Sequence, residues 1–168
     1  MRKMAGVLWV IRVRGEWAHF GGIHFGPERM TMLVPSHSAC VGILRSVLGK
    51  WEARWVVESV TLLTHPVAVP IKLNHLRSFA SNGGESIDIV ERRTQRVFTY
   101  LQNPDYVIRA RISLGAHADA SDNISKLDNM IEKRLRVGHR EYQPYLGTRE
   151  CTASITHVVD VSTLPPPI

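Results

Sequence analysis

The sequence predicts an α+β domain in which two β-α-β units follow one another, separated by an insertion. Segments rich in β-branched residues alternate along the chain with segments whose apolar residues have helical spacing. A serine or aspartate precedes each segment of helical spacing, and a glycine follows it. The stretch between the two units has no apolar period. This order of elements is typical of the ferredoxin-like fold, in which both helices cover one face of an antiparallel sheet.

The first predicted strand covers residues 5–14. Its end alternates, so Val10 and its apolar neighbours are expected to face a core while Arg12 and Arg14 point away from it. Residues 15–34 are rich in glycine and histidine and are predicted to form a long connection.

A helix is predicted after this connection, capped by Ser36 or Ser38 and ended by Gly49. Its apolar stripe consists of Val41, Leu44, Val47 and Leu48. Residues 54–63 are rich in β-branched side chains and are predicted to form the second strand, which residues 67–73 extend or follow.

The insertion is predicted at residues 74–96. It contains a Ser-Asn-Gly-Gly sequence at 81–84 and a charged run, Glu-Arg-Arg-Thr-Gln-Arg, at 91–96. This composition indicates a protruding loop or hairpin with basic residues near its return.

The second unit begins with a half-exposed strand at residues 105–114, where apolar and polar residues alternate. Ser121 or Asp122 is predicted to cap the second helix, which Gly138 ends. The predicted buried stripe of this helix is Ile124, Leu127, Ile131 and Leu135. Residues 149–161 are predicted to form the last strand.

Length and composition indicate one globular domain at residues 1–160, followed by a Pro-rich tail at residues 161–168. The formal net charge is +6, which favours an anionic partner. No apolar run reaches the roughly 20 residues that span a bilayer. Cys40 and Cys151 form neither a metal-binding pair nor a disulfide framework, so we expect reduced thiols in a cytoplasmic protein.

Two segments combine a glycine with an arginine at a predicted strand edge. They are Arg-Gly-Glu-Trp-Ala-His-Phe at residues 14–20 and Gln-Pro-Tyr-Leu-Gly-Thr-Arg-Glu-Cys at residues 143–151. A glycine lets the backbone approach a partner closely, and an arginine can grip a phosphate, so the pair suggests RNA. Two alternatives remain open: Arg149 pairs with Glu150 or Glu141, and Trp17 and Phe20 pack under the loop instead of stacking on bases.

The histidines and tryptophans have simpler interpretations. His19 and His24 lack an obvious third ligand, so no metal site and no cofactor are expected. His37 lies at a helix start and His117 before the second helix, where each is either a surface residue or a substitute catalytic base. Trp51 and Trp55 are expected to be core residues.

The chain resembles the Cas-five proteins of type I-C CRISPR systems (the Dvulg subtype). The resemblance rests on the two segments above, at residues 15–20 and 143–150. It also rests on residues 27–30, 34–39, 42–44 and 93–96, all in the family's order. It implies a ferredoxin-like fold of the RAMP or RRM-like type, with a thumb-like insertion that we place at 74–96. It also implies that the family's C-terminal portion is missing here or replaced by the Pro-rich tail.

The resemblance implies a subunit at one end of the Cascade complex that holds the 5′ handle of the crRNA. Its partners would be the backbone (Cas-seven) subunit, the large (Cas-eight) subunit and target DNA. Members of type I-C often cut the precursor RNA themselves. The expected RNA-binding residues are Arg12, Arg14, Trp17, His19, Phe20, Arg29, Arg92, Arg93, Arg96 and Arg149.

Cleavage in such proteins needs no metal, because the ribose 2′-OH attacks the adjacent phosphate. The family pattern implies a tyrosine late in the first helix and a Lys-His pair at the start of the second. Lys126 matches the lysine, but Leu48 and Leu127 stand at the other two positions. His37 and His117 are the candidate replacements. A guide-binding subunit without catalysis is therefore the first expectation, and an active endoribonuclease the alternative. An unrelated RNA-recognition domain is a weaker idea, because residues 106–109 lack its paired exposed aromatics.

Overall fold

A computed structural model of the chain describes residues 6–25, 28–76, 90 and 93–166, without the side chains of residues 23–25. The described strands are β1 (Trp9–Gly15), β2 (Trp17–Ala18), β3 (Gly21–Phe25), β4 (Glu28–Thr31), β5 (Ala53–Leu62), β6 (Val67–Leu76), β7 (Arg93–Gln102), β8 (Asp105–Leu114) and β9 (Ala153–His157). The described helices of more than one turn are α1 (His37–Arg45) and α2 (Ile124–Val137).

The main sheet has four strands in the order β5-β8-β1-β9, and each pair of neighbouring strands is antiparallel. Because β1, β5, β8 and β9 are the four strands of the two β-α-β units, this order is that of the ferredoxin-like fold. The predicted fold class is confirmed. Strands predicted at 54–63 and 105–114 correspond closely to β5 and β8, whereas the last strand is shorter than the predicted 149–161.

The hydrophobic core lies between one face of this sheet and the two helices. Ile11 and Val13 of β1 and Ile108 and Ile112 of β8 are fully buried on that face. The helices contribute Cys40, Ile43, Leu44, Leu127 and Ile131. The buried residues of β1 and β8 alternate along each strand, because successive side chains of a strand point to opposite faces of the sheet.

Val10 is buried as predicted, but it lies on the opposite side of the sheet from the main core, on the same face as Arg12 and not across from it. It packs in a second, smaller cluster with Leu63 and Val107, against which Leu164 of the C-terminal segment lies. The reason is that Val10 has the same parity along β1 as Arg12, and residues of equal parity share a face.

Both helices are capped by polar side chains at the N-terminus. Ser36 caps α1, and its Oγ accepts a hydrogen bond from the Ala39 amide. The cap of α2 is Asn123, not the predicted Ser121 or Asp122, because Asp119 and Asp122 bond within the preceding turn. Gly138 ends α2 with φ of 75° as predicted.

A second sheet contains β2, β3, β4, β6 and β7, with β7 paired to β2 and β4 on one edge and to β6 on the other. The connection predicted at 15–34 is therefore partly strand. So are the flanks of the predicted insertion, because β6 and β7 pair from Val67↔Gln102 to Leu76↔Arg93. Residues 77–89, 91 and 92, where the insertion's tip is predicted, lie outside the described part of the chain.

Gly42 lies inside α1 although nothing around it requires a glycine. An added Cβ would have no neighbour within 4 Å. We expect Gly42→Ala to stabilise the domain by about 0.5–1 kcal/mol, because alanine loses less backbone entropy in a helix. Urea unfolding with an unchanged m-value would measure this gain. Gly49→Ala is the control, for which we expect no gain in the free energy of unfolding, since its Cβ would lie 3.0 Å from the Arg45 carbonyl oxygen.

Candidate nucleic-acid interface

The two glycine- and arginine-containing segments singled out in the sequence lie directly against each other. The His19 amide donates a hydrogen bond to the Leu146 carbonyl at 3.0 Å. Gly147 has φ of 91°, and an added Cβ would lie 1.9 Å from the His19 carbonyl oxygen. Leu146 is fully buried, and the Leu146 amide donates to Cys151 across a tight turn. Gly147 is therefore required for the close approach of the two backbones.

A cleft of about 430 Å³ opens where these segments meet the N-terminal half of α1; we call it the α1 cleft. Its walls include Arg29 and His19 from the β-strand side, Gly147 and Thr148 from the turn, and Tyr145. Ser36, Ser38 and Gly42 form the α1 side. None of the described lining residues is acidic. A cleft with an arginine, hydroxyl groups and no carboxylate suits an anionic ligand such as a phosphate.

His19 is the most constrained polar side chain of the α1 cleft. It is 4% exposed, and its Nδ1 lies 2.9 Å from the Thr99 carbonyl oxygen. Since a carbonyl only accepts, Nδ1 carries the proton, and Nε2 of the neutral ring is an acceptor. The ring packs against Phe98 and Tyr100 at 5.6 and 5.2 Å. No fully buried side-chain nitrogen or oxygen of the described residues lacks a partner, so Nε2, for which no hydrogen bond is found there, keeps a small accessible area.

Arg29 of β4 is held by an aromatic ring and not by a carboxylate. Its guanidinium carbon lies 5.1 Å from the centre of the Phe98 ring, and it belongs to none of the ion pairs among the described residues. A cation–π contact orients the side chain and leaves its donors free. Arg29 can therefore bind a phosphate in the cleft.

Arg149 is exposed and also outside every ion pair of the described residues. The two carboxylates that the sequence offered as partners are occupied elsewhere. Glu141 pairs with Arg134, and Glu150 accepts a hydrogen bond from the Tyr100 hydroxyl at 3.2 Å. Burial and the neighbouring Glu150 raise the pKa of Tyr100 to about 12, so this hydroxyl stays protonated at neutral pH. The salt-bridge alternative for Arg149 is thus excluded within the described residues.

Arg149 lies beside the α1 cleft. Together with Gln143 it lines a depression of about 500 Å³ whose other walls are Tyr142 and Tyr145. Both tyrosines also line the α1 cleft, so the two spaces adjoin. Tyr142 was not predicted as a site residue; its hydroxyl donates to the Gly42 carbonyl.

Arg12 lines neither the α1 cleft nor the depression beside it. Its guanidinium forms a bidentate pair with Asp105, with Nε–Oδ1 and Nη2–Oδ2 distances of 3.0 and 2.6 Å. The hydrogen bond to Asp105 raises the pKa of Arg12, and burial opposes this only in part. Arg14 is exposed on the same sheet face, next to Glu16 in a shallow depression that shares no described residue with the α1 cleft.

The aromatic residues of the first segment pack into the protein. Phe20 is 3% exposed and lies edge-on to Tyr106 at 5.9 Å, so the base-stacking interpretation is wrong for Phe20. Trp17 is half-buried and lies edge-on to Tyr100 at 6.4 Å. The packing alternative therefore holds for both residues, because the second sheet supplies aromatic neighbours that the sequence does not reveal.

The basic run of the insertion is only partly described. Arg93 is exposed and Arg96 is half-buried, and an odd separation places them on opposite faces of β7. Arg92 lies outside the described residues. The structure thus places His19 and Arg29 at the α1 cleft and Arg149 in the depression beside it. Arg12, Arg14 and Arg93 lie elsewhere, and Arg96 shares the β7 face of Phe98 without lining the cleft.

The residues at the family's catalytic positions are core residues. Leu48 is 1% exposed and Leu127 is 2% exposed, so neither can contact RNA. Lys126 is exposed. The pKa of Glu52 is lowered first by its backbone hydrogen bond and by Lys50, and also by the charge of Lys126. Lys126 is therefore near Glu52 and the turn before β5.

His37 and His117 lie near a groove on the other side of α1. His37 lines this groove together with Trp51, and the ring of His117 lies edge-on to Trp51 at 6.2 Å. Trp51 is 78% exposed, so its predicted core position is wrong, whereas Trp55 is 3% exposed as expected. In the sequence both tryptophans follow the predicted end of the first helix, and this position does not show whether an indole is buried or exposed.

The described residues contain no group of three or more His, Cys, Asp or Glu that could hold a metal ion. None of their helices is long and apolar enough to cross a membrane.

Comparisons with known proteins support the resemblance seen in the sequence at the level of the family. A family model described as CRISPR-associated protein (Cas_Cas5), under the name Cas_Cas5d, matches residues 9–166. The protein of Thermus thermophilus named CRISPR pre-crRNA endoribonuclease Cas5d is 33% identical over 145 residues. The match covers 85% of this chain and 61% of that protein, so the chain spans less than two thirds of that relative's length.

Two solved structures share the fold. One described as a CRISPR-associated protein has a TM-score of 0.69 at 18% identity, covering 94% of this chain and 70% of that one. A chain of a CRISPR RNA-guided surveillance complex has a TM-score of 0.58 at 18% identity, covering 88% of this chain and 60% of its own length.

Proposed function

Because the chain belongs to the Cas5d family of CRISPR-associated proteins, we propose that it binds guide RNA through the α1 cleft, as a subunit of a type I-C Cascade complex. In this role it holds the 5′ handle of the crRNA and caps the backbone of the complex in the cytoplasm. The backbone subunit, the large subunit and target DNA are the proposed partners. A chain with this fold also occurs in a CRISPR RNA-guided surveillance complex.

The RNA-binding proposal rests on two arginines that form no ion pair with the described residues. They lie in and beside a cleft whose described lining residues include no carboxylate. Arg29 lies within the α1 cleft, Arg149 lines the adjoining depression, and neither is in an ion pair of the described residues. Phosphates bound there would form charge-assisted hydrogen bonds without first displacing an internal partner. His19 lines the same cleft, and its acceptor Nε2 suits a ribose 2′-OH, which distinguishes RNA from DNA.

Cleavage of precursor RNA is the second candidate function. Two observations favour it: the Thermus thermophilus relative is named a pre-crRNA endoribonuclease, and His19 offers an oriented, unpartnered Nε2. In such a reaction Nε2 would take the proton of the 2′-OH while its oxygen forms a bond to the adjacent phosphorus. The bond from phosphorus to the 5′-oxygen breaks, and that oxygen leaves with a proton from a general acid. Arg29 would stabilise the charge on the phosphate.

One experiment tests binding and cleavage together. Purified protein is incubated in EDTA with end-labelled RNA that carries the CRISPR repeat of its own locus, and with DNA of the same sequence. We expect a stable complex with the RNA, weaker binding to the DNA and recovery of full-length RNA. A specific cut within the repeat would favour the second candidate, and a His19→Gln variant would then show whether Nε2 serves as the base. Equal or absent binding of both nucleic acids would contradict the proposed function.

A further inference from the structure

Trp51 is an outlier among the four tryptophans of the chain. Its exposed fraction is 78%, whereas Trp9 and Trp55 are 4% and 3% exposed and Trp17 is half-buried. Indole is the largest side chain a protein can bury, and its exposure forgoes a large hydrophobic stabilisation. Tryptophan is enriched at interfaces, so an exposed indole that lines a groove is a candidate binding surface.

The turn that carries Trp51 is held firmly in place. The Gly115 amide donates to the Glu52 carbonyl at 2.8 Å, and a Cβ at Gly115 would lie 3.1 Å from the Trp51 carbonyl oxygen. The His117 ring meets the indole edge-on, with an interplanar angle of 87°. The indole is thus positioned by the close approach of residues 51–52 to residue 115 and remains accessible to solvent.

The groove beside Trp51, which we call the Trp51 groove, has a volume of about 580 Å³ and is basic. Arg45, Lys50 and Arg54 line it, and none of its described lining residues is acidic. Lys50 pairs with Glu52 at 3.1 Å, but Arg45 and Arg54 belong to no ion pair of the described residues. Exposed aromatic surface flanked by arginines outside the described ion pairs complements a base and its phosphates. A protein segment would need acidic side chains to complement the same basic groove.

The Trp51 groove adjoins the α1 cleft across α1. Ser38 and Gly42 line both spaces. At Gly42 no side chain stands between them, and a Cβ would meet nothing within 4 Å. This explains a glycine within a helix that packing does not require. A strand that occupies the α1 cleft can therefore cross α1 at Gly42.

We propose that the Trp51 groove is a base-binding subsite for single-stranded RNA. One unpaired base stacks on the indole of Trp51, and the phosphates beside it contact Arg45 and Arg54. The RNA is the strand that crosses from the α1 cleft, so this inference rests on the proposed function. It adds a contact on a base, whereas the α1 cleft binds phosphate and ribose.

The test compares Trp51→Ala and Trp51→Phe in the full chain, using fluorescein-labelled repeat RNA and a series of the same RNA with one abasic site at each position. We expect Trp51→Ala to weaken binding at least about fivefold, and Trp51→Phe to restore most of the affinity because the stacking face is kept. One abasic site should weaken binding to the wild type and have no further effect on Trp51→Ala. Val159→Ala, at a side chain that is 86% exposed and lines neither space, is the control.

Intrinsic fluorescence gives a second readout that does not depend on affinity. Binding of RNA should quench the wild-type emission and quench Trp51→Phe much less. If the wild type binds RNA but Trp51→Ala binds it equally well and no abasic site is coupled to Trp51, the subsite is refuted while the proposed function stands. If the wild type binds no RNA, both fail. Binding of a purified Cascade subunit that depends on Trp51, with RNA affinity unchanged, would assign the groove to a protein partner and refute the subsite.

Discussion

Replacing Gly147 by alanine is expected to destabilise the domain by about 3–5 kcal/mol, a cost in the range of severe single substitutions. Two effects add. The backbone has φ of 91°, which residues with a Cβ rarely adopt, and the Cβ would lie 1.9 Å from the His19 carbonyl oxygen. Neither backbone can retreat cheaply, because the His19 amide is bonded to the Leu146 carbonyl and Leu146 is fully buried.

Gly138→Ala is the matched control for Gly147→Ala. Gly138 also has a positive φ, of 75°, but an added Cβ there would meet nothing within 4 Å. Its substitution should cost only about 1–2 kcal/mol, the ordinary penalty for a left-handed residue with a Cβ. Urea unfolding gives the free energy of unfolding of both variants. The difference between the two values is the contribution of the close approach of the two segments. Equal losses of stability would mean that this approach is not required for folding.

Loss of both arginines, in the double variant Arg29→Ala with Arg149→Ala, is expected to weaken RNA binding by about a hundredfold or more. Each charge-assisted contact to a phosphate contributes about 1.5–3 kcal/mol to binding. Neither arginine is in an ion pair of the described residues, so the substitutions remove no internal salt bridge. The slope of log affinity against log salt should fall by about 1.4, since each phosphate contact to a single strand contributes about 0.7. Fluorescence anisotropy over a range of salt concentrations measures both quantities.

The control for this double variant is Lys133→Ala with Arg136→Ala. Both residues are exposed on α2, and neither lines the α1 cleft or the depression beside it. This control removes the same net charge, so it should lower the affinity only slightly through the long-range field. A folded Arg29/Arg149 variant with an unchanged salt slope would remove both residues from the RNA site. Losses of the same size in both variants would indicate a non-specific effect of charge.

Cleavage, the second candidate function, would use His19 and Arg29 of the same α1 cleft. Leu48 and Leu127 leave no polar group at two positions of the expected catalytic set, and both are buried. His19 is more firmly oriented than His37 or His117, because its Nδ1 is anchored on Thr99 and no hydrogen bond of the described residues occupies its Nε2. Sequence reasoning included His19 among RNA contacts but could not foresee its orientation, since Thr99 is 80 residues away in the chain.

The amino-acid sequence alone predicted the main sheet, the presence of both helices and the family, although α1 ends at Arg45 and not at the predicted Gly49. These features depend on local periodicity, on capping residues such as Ser36 and Gly138, and on short motifs, all of which are properties of neighbouring residues. The two segments that meet at the candidate site were also visible, because each carries a glycine next to an arginine.

Only the tertiary structure decided which of these side chains are available. Arg12 and Arg149 look equivalent in the sequence, but Asp105 lies beside Arg12 across 93 residues, whereas the carboxylates near Arg149 are bonded elsewhere. Trp51 lies in the turn before β5 and is exposed, whereas Trp55 lies within β5 and is buried in the core. Pairing of charges and burial of aromatic rings are set by contacts between distant segments, and a local pattern carries no information about those contacts.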